Sequence, residues 1–352
     1  MDLQQMKEKF DKIAELGKDD IKFHSVHDAP FRIHGLLYMD GKFRRLPEAV
    51  AKQCHETVLE HHACTAGGRL RFKTDSAYVA IAVKLPNVGK MAHFALTGSA
   101  GFDLYEKKDG VDKYVCSLRP SFYITDSIVR MFEFDSREMR EITIHFPLYS
   151  EVSELYVGLQ EGASIEAAPL YAYEKPVVYY GHSITQGGCA SRPGNAYPAI
   201  LSRRLNVDHV NLGFSWGGRG EQPIADYIAS LDMQVLVMDY DHNAPNAQHL
   251  QDTHERMFLT IREKHPTLPV VMMTSTTMPR FSDNRAKRRE IIYNTYRHAR
   301  DRGDENVYFW DGGQFDAYHD YATVDGSHPN DYGFVVIANL LEPVLKKALA
   351  RS

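Results

Sequence analysis

The chain has 352 residues, enough for two domains that each bury a core of their own. Its hydrophobic fraction of 43% and charged fraction of 25% are those of an ordinary globular protein, and a net charge of −5 leaves no basic footprint for nucleic acid. No apolar run is long enough to cross a bilayer, so no membrane span is expected.

The N-terminus, M-D-L-Q-Q-M-K-E-K-F, lacks the apolar stretch of a signal peptide, so the chain as given reads as cytoplasmic. An exported protein whose leader had been removed would read the same way. Cys54, Cys64, Cys116 and Cys189 show no C-x-x-C spacing. Free, mostly buried thiols are expected, with a Cys54–Cys64 pair as the alternative in a secreted protein. Leu3, Met6, Phe10, Ile13 and Leu16 recur at steps of three and four, which predicts an amphipathic helix within residues 1–20, closed near Gly17.

From residue 21 to 170 short alternating runs replace that period. Tyr78–Val83, Ile142–Phe146 and Leu155–Leu159 read as strands, and Asp40-Gly41, Gly67-Gly68 and Asp109-Gly110 as hairpin turns. Many short strands at roughly ten-residue spacing predict an all-β sandwich of jelly-roll type. A brief helix is expected within Pro47–His61. The β texture ends at A-A-P-L-Y-A-Y-E-K-P, residues 167–176.

Residues 176–352 alternate strand with helix. Strands are predicted at Val177–Tyr180, His209–Leu212, Val235–Asp239, Val270–Thr274 and Val307–Trp310. Helices are predicted at Tyr197–Leu205, Pro223–Ser230, 246–265, Arg285–Arg302 and Tyr332–Leu349. This βα repeat implies a parallel sheet covered on both faces, with ligands bound at the carboxyl edge.

That edge collects the residues that carry chemistry. Val177–Tyr180 stops at Gly181, and Ser183 follows in a tight turn as candidate nucleophile. A serine hydroxyl needs a base. His328, in V-D-G-S-H-P-N after the fifth strand, is the best placed of 17 histidines. Asp325 lies three residues earlier, a spacing that lets its carboxylate reach Nδ1 while Nε2 faces the serine. Oxyanion donors are expected from the Ser183 N–H, from the turn in N-L-G-F-S-W-G-G, and from the Asn243 side chain in D-Y-D-H-N-A-P. Each feature alone has a plainer reading. A strand-end serine is usually a cap, a D-x-x-H pair a surface turn, and Asn243 a helix cap. Their coincidence on one sheet edge is what points to catalysis.

These blocks carry a resemblance. G-H-S-I-T-Q-G-G, N-L-G-F-S-W-G-G, D-H-N and D-G-S-H-P resemble, in order and spacing, the four blocks of the SGNH hydrolases, also called the GDSL esterase/lipase family. G-F-D-L-Y at Gly101–Tyr105 and G-G-C-A-S-R-P-G at Gly187–Gly194 are similar to motifs of a subfamily with an N-terminal GxDLY sandwich domain. The resemblance implies a three-layer α/β/α domain with a five-stranded parallel sheet and ester hydrolysis with no cofactor or metal. It implies Ser183, Asp325 and His328 as triad and Asn243 as an oxyanion donor. It also implies a carbohydrate esterase, chiefly a deacetylase.

Two departures stand out. His182 replaces the family's usual aspartate, as a structural substitute or as a second polar group that contacts substrate. Trp216 stands where a glycine N–H commonly enters the oxyanion hole, so either Trp216 or Gly217 donates, and the indole offers a stacking face for a sugar. Arg192 is a candidate for a substrate carboxylate, with a surface ion pair as the plainer reading. Asp239, Asp241 and His242 match no metal-site spacing. The basic run at Arg285–Arg289 reads as a solvated helix start.

The expected function is hydrolysis of small acyl esters, O-acetyl on carbohydrate foremost. The alternatives are a lipase, thioesterase or acyltransferase of the same fold, or an inactive carbohydrate-binding protein. The role of the sandwich and the oligomeric state are not legible.

Overall fold

The structure is a computed structural model that describes residues 3–276 and 283–352. The chain forms two compact units. The first contains the chain up to Arg44, Ala63–Leu170 and Ser191–Gly194; the second contains Arg45–His62, Tyr171–Ala190 and Asn195–Ser352.

The first unit is an antiparallel β-sandwich. One sheet orders the strands Ile21–Ser25, Glu154–Gln160, Tyr78–Lys84 and Ser127–Glu133. The other orders Ile165–Glu166, Arg69–Thr74, Arg140–His145, Phe102–Lys108 and Val111–Leu118, with Arg32–His34 also pairing Arg69–Thr74. Side chains alternate along each strand. Val79, Ile81 and Val83 therefore enter the core between the sheets, while Tyr78, Ala80 and Ala82 face the other way. That second face is covered by Met6, Phe10 and Ile13. The expected N-terminal helix is thus present, but in two pieces: an α-helix at Leu3–Lys9 and a 3-10 turn at Ile13–Leu16, ended by Gly17 at φ 62°. Asp40-Gly41 and Asp109-Gly110 take positive φ at both residues, as two-residue hairpins require. Gly67-Gly68 is not a hairpin turn. It leads into Arg69–Thr74, and Gly68 leaves room for Leu36 and Phe146.

The G-F-D-L-Y motif opens the strand Phe102–Lys108, which lies between Arg140–His145 and Val111–Leu118. Phe102 and Leu104 point into the sandwich core. Asp103 and Tyr105 point to the opposite face, where they hold Ser191–Gly194. Asp103 is fully buried; its Oδ2 accepts the Gly194 N–H at 2.9 Å, and its Oδ1 faces His145 Nδ1 at 2.9 Å. Thr97 Oγ1 donates to the Ser191 carbonyl at 2.5 Å. A Cβ on Gly194 would lie 2.6 Å from Tyr105 Oη and 2.8 Å from Asp103 Oδ2, so any side chain here must displace them.

The second unit is a three-layer α/β/α domain, and its sheet has five parallel strands among the described residues. They are β1 (Val177–Gly181), β2 (His209–Gly213), β3 (Val235–Asp239), β4 (Val270–Met273) and β5 (Val307–Trp310), in the order β2-β1-β3-β4-β5. Covering helices fall close to their predicted spans: Tyr197–Leu205, Gln222–Ala229, Ala247–Lys264, Asp283–Asp301 and Asp331–Leu349. No described helix is long and apolar enough to cross a membrane. All four cysteines are free, so Cys54 and Cys64 do not pair.

The expected segments 21–170 and 176–352 are each interrupted. Arg45–His62 forms helices α1 (Glu48–Ala51) and α2 (Glu56–His61), whose few apolar residues cannot build a core. Leu46, Ala51 and Val58 instead join Phe214, Ile224 and Ile228 in the core of the second unit. The basic run also departs from a solvated face. Arg288 is buried and donates to the Asp241 and Ala244 carbonyls, while Arg285 pairs Asp316 through both terminal nitrogens at 3.0 and 2.8 Å.

Gly194→Ala is expected to lower stability by about 1–3 kcal/mol, because the methyl must displace two buried partners. A urea midpoint unchanged from wild type would show that the Asp103 clasp yields freely.

Candidate active site

Ser183 sits where β1 turns into a single helical turn, α3 (Ser183–Gln186). Its Oγ is 3.0 Å from His328 Nε2, and His328 Nδ1 is 2.9 Å from Asp325 Oδ2. Asp325 Oδ1 accepts the N–H groups of Ser327 and His328 at 2.9 and 2.7 Å. The Val324 N–H closes this turn on the His328 carbonyl at 2.8 Å. Burial alone would push the Asp325 carboxyl up, but its backbone and ring hydrogen bonds with His328 and that from Ser327 bring it down to about 2. It is therefore a carboxylate at any ordinary pH. The three residues expected to form a triad are brought together.

The turn after β2 is built against α3. Phe214 N–H donates to the Gly181 carbonyl at 2.9 Å and Ser215 N–H to Gln186 Oε1 at 3.0 Å. Trp216 adopts φ 58°, the left-handed conformation in which an indole-bearing residue is strained and a glycine is not. Its side chain is 72% exposed. Among the described residues, the N–H groups of Trp216, Gly217 and Gly218 have no acceptor, which leaves them available to an oxyanion. Asn243, expected as an oxyanion donor, is buried beside this turn, where its amide nitrogen donates to the Phe214 carbonyl at 2.8 Å and to the Gly217 carbonyl.

Two further expectations change with burial. His182 is buried and makes no substrate surface. Its Nδ1 accepts the Ile184 N–H at 3.2 Å, capping α3 as an aspartate would, and its Nε2 faces Asp239 Oδ1 at 3.2 Å. Burial lowers the ring's pKa, and Asp239 and Asp241 together outweigh it and raise it. Geometry opposes that protonation, because the proton would have to enter at the occupied Nδ1. The ring is therefore read as neutral, with hydrogen on Nε2. Arg192 belongs to the sandwich unit, where it ion-pairs Asp103 at 3.6 Å and stacks on Tyr114 at 3.8 Å.

Asp239 Oδ2 accepts from Thr185 Oγ1 at 2.9 Å and Tyr197 Oη at 3.4 Å. His182, Asp239 and Asp241 each present a ligand atom within 4.8 Å of the others, but the first two already face one another. Asp241 Oδ2 accepts the Ser275 N–H at 2.9 Å, and its Oδ1 has no partner among the described residues. Burial, then the charge of Asp239, pushes its carboxyl up to about 6. His242, weighed from sequence only as a metal ligand, links Ser275 Oγ at 3.1 Å to Ser327 Oγ at 3.4 Å, beside His328. Burial is the main cause that lowers it, to about 3, so it is neutral. No spacing in D-Y-D-H-N announces that link.

Residues 174–346 match the model of the GDSL-like lipase/acylhydrolase family, and residues 21–165 the GxDLY model, the N-terminus of SGNH-hydrolase-type esterases. No curated protein matches the chain. Among solved structures it is similar to a protein from Bacteroides ovatus ATCC 8483 described as GDSL-like, with 27% identity, TM-score 0.85, and coverage of 94% of this chain and 99% of that one. It is similar to the salicylyl-acyltransferase SsfX3 of a tetracycline biosynthetic pathway, at 20% identity, TM-score 0.77, and coverage of 95% and 100%. A family two carbohydrate esterase from Cellvibrio japonicus matches at 12% identity, TM-score 0.63, and coverage of 94% and 98%. The last two likenesses are of fold alone.

Because the folded Asp241 carboxyl binds its proton more tightly than the unfolded one, stability falls as pH rises from about 4 through about 6. Asp241→Asn removes that loss and keeps an acceptor for Ser275. It is expected to raise the thermal midpoint at pH 8 by several degrees, on the order of 3 kcal/mol, and by much less at pH 4. Scanning calorimetry at the two pH values checks the difference; a lower midpoint at pH 8 would mean that the ionised carboxylate is stabilising.

Proposed function

We propose that this chain, which belongs to the GDSL-like lipase/acylhydrolase family and carries a GxDLY N-terminal unit, is a serine esterase for small acyl esters, O-acetyl groups on carbohydrate foremost. The observation that carries the reading is the unbroken Ser183–His328–Asp325 relay, with contacts of 3.0 and 2.9 Å. A relay at hydrogen-bond length in the free protein favours an active enzyme over a binding protein that has lost its chemistry.

The steps follow from the geometry. Ser183 Oγ attacks the ester carbonyl carbon while His328 Nε2 takes the hydroxyl proton. Asp325, ionised throughout, fixes the proton on Nδ1 and stabilises the imidazolium. The carbonyl oxygen becomes an oxyanion, met by the Ser183 N–H and by the free N–H groups of the Trp216–Gly217 turn. Collapse breaks the C–O bond to the sugar, and His328 returns the proton to that oxygen. Water then attacks the acyl-serine by the same route, releasing acetate and restoring the Ser183 hydroxyl.

The sugar half of the proposal rests on the exposed Trp216 indole, a flat apolar face on the turn that would hold the oxyanion. Its fold-level likeness to a carbohydrate esterase supports the same substrate class.

Acetate release from p-nitrophenyl acetate and from acetylated oligosaccharides tests this reading. Ser183→Ala is expected to lower kcat/KM by at least about 10³-fold, and Asp325→Asn to lower kcat by roughly 10²–10⁴-fold. Equal rates for wild type and Ser183→Ala would remove the esterase reading, and acyl transfer to an added alcohol in preference to water would make the chain an acyltransferase.

Trp216→Gly relieves the left-handed strain, on the order of 1 kcal/mol, and removes the stacking face. It is expected to raise the thermal midpoint and to raise KM several-fold on an acetylated oligosaccharide, while KM for p-nitrophenyl acetate stays within about two-fold of wild type. An unchanged saccharide KM would end the stacking role.

A further inference from the structure

The turn Phe214–Gly218 is held from two sides. From inside the hydrolase unit, Gly181, Gln186 and Asn243 bind it, as described above. The other side is supplied by Arg45–His62, a segment more than 150 residues earlier in the chain. Arg45 is 1% exposed. Its Nη1 donates to the Asn211 carbonyl at 3.3 Å and to the Gly213 carbonyl, the two acceptors at the end of β2 from which the turn departs. Its Nη2 donates to the His61 carbonyl at 2.6 Å, at the end of α2, and its guanidinium lies 4.7 Å from the centre of the Phe214 ring. The α2 helix meets the turn directly: a Cβ on Gly217 would lie 2.7 Å from Val58 Cγ2 and 3.0 Å from the Val58 nitrogen. One turn further on, His55 N–H reaches Glu221 Oε1 at 3.4 Å, and Glu221 Oε2 accepts the Arg219 N–H at 2.7 Å.

We propose that Arg45 is a positioning residue for the oxyanion turn, and that Arg45–His62 is part of the working hydrolase and not only cover for its core. The inference rests on the esterase reading above. A buried guanidinium that bonds three carbonyls and stacks on a ring has fixed geometry. Here the carbonyls belong to β2 and α2, and the ring to the first residue of the turn. Arg45 therefore locks α2, β2 and Phe214 to one another, and Val58 then sets how far Gly217 can move. The free N–H groups of Trp216 and Gly217 lie inside that clamp. Oxyanion stabilisation depends on donors fixed before the charge forms, so release of the clamp acts on the transition state and leaves substrate affinity nearly intact.

The test uses the full chain with Arg45→Met, Arg45→Lys and Val58→Ala, each checked for folding by circular dichroism and thermal midpoint. Steady-state hydrolysis of p-nitrophenyl acetate is measured alongside inhibition by phenylboronic acid, whose serine adduct places oxygen in the oxyanion position. For Arg45→Met, kcat is expected to fall about 10- to 100-fold with KM within about two-fold, and boronate affinity to fall in parallel. Arg45→Lys, which keeps a donor but not the planar fork, is expected to recover part of both. If Arg45→Met does not fold, Val58→Ala decides: it leaves the Arg45 hydrogen bonds in place and loosens the packing against Gly217, and the same paired loss of kcat and boronate affinity is expected on a smaller scale. Folded variants with unchanged kcat and boronate affinity would overturn the proposal. So would a loss of kcat with boronate affinity intact. A failure of the esterase reading is separate, since then wild type itself would be no faster than Ser183→Ala.

Discussion

Everything at the carboxyl edge of the sheet depends on how closely three stretches of backbone approach one another. A Cβ on Gly213 would lie 2.3 Å from the Gln186 nitrogen, and one on Gly181 would lie 2.5 Å from the Asp239 carbonyl oxygen. With hydrogen in place of a side chain at both positions, β1, β2, β3 and α3 come within direct hydrogen-bonding reach. Asn211 then bridges the gap, its amide donating to the Thr185 carbonyl at 2.7 Å and its oxygen accepting the Gly213 N–H at 2.9 Å. The serine and the turn opposite it are thereby fixed to one scaffold. A single methyl group in this contact would separate them by more than a catalytic geometry tolerates.

Beneath that contact lies a polar layer whose members are buried but nearly all satisfied. His182, Asp239, Thr185 and Tyr197 form one cluster, and Asp241, Ser275 and His242 another. Such layers are costly when incomplete and rigid when complete. The Asp325–His328 pair differs: both residues stay part-exposed and take their order from a short turn. The proposed site therefore has a stiff base and an accessible His328, which suits the proton transfers proposed for that ring.

How much of this was legible in the sequence follows from the range of each interaction. The strands, the helices and the Asp325–His328 pair are encoded by local period and by residues a few positions apart, and these were readable. The resemblance of four strand-end blocks and of G-F-D-L-Y to one family agrees with the family matches. Residue type misled where burial decides the role. His182 carries a group that suits a substrate, yet it is occupied inside the fold. Arg192 is held by Asp103, from a strand nearly ninety residues earlier. The basic run at Arg285–Arg289 looked solvated because its sequence does not show that Arg288 turns inward. The clamp at Arg45 and the clasp at Asp103 join residues too far apart to leave any periodic trace.

The chain passes from one unit to the other at Arg45, returns at Ala63, crosses again after Leu170, and goes back once more for Ser191–Gly194. Such a path is unlike beads on a string, and it limits modularity. A gene fragment beginning near residue 174 would encode the full βα repeat but omit Leu46, Ala51 and Val58, leaving apolar hollows open to water. A fragment ending near residue 165 would leave Asp103 as a buried carboxylate without the Gly194 N–H. Domain shuffling at the apparent linker would thus damage both products, and the two halves are expected to be inherited, expressed and degraded as one piece.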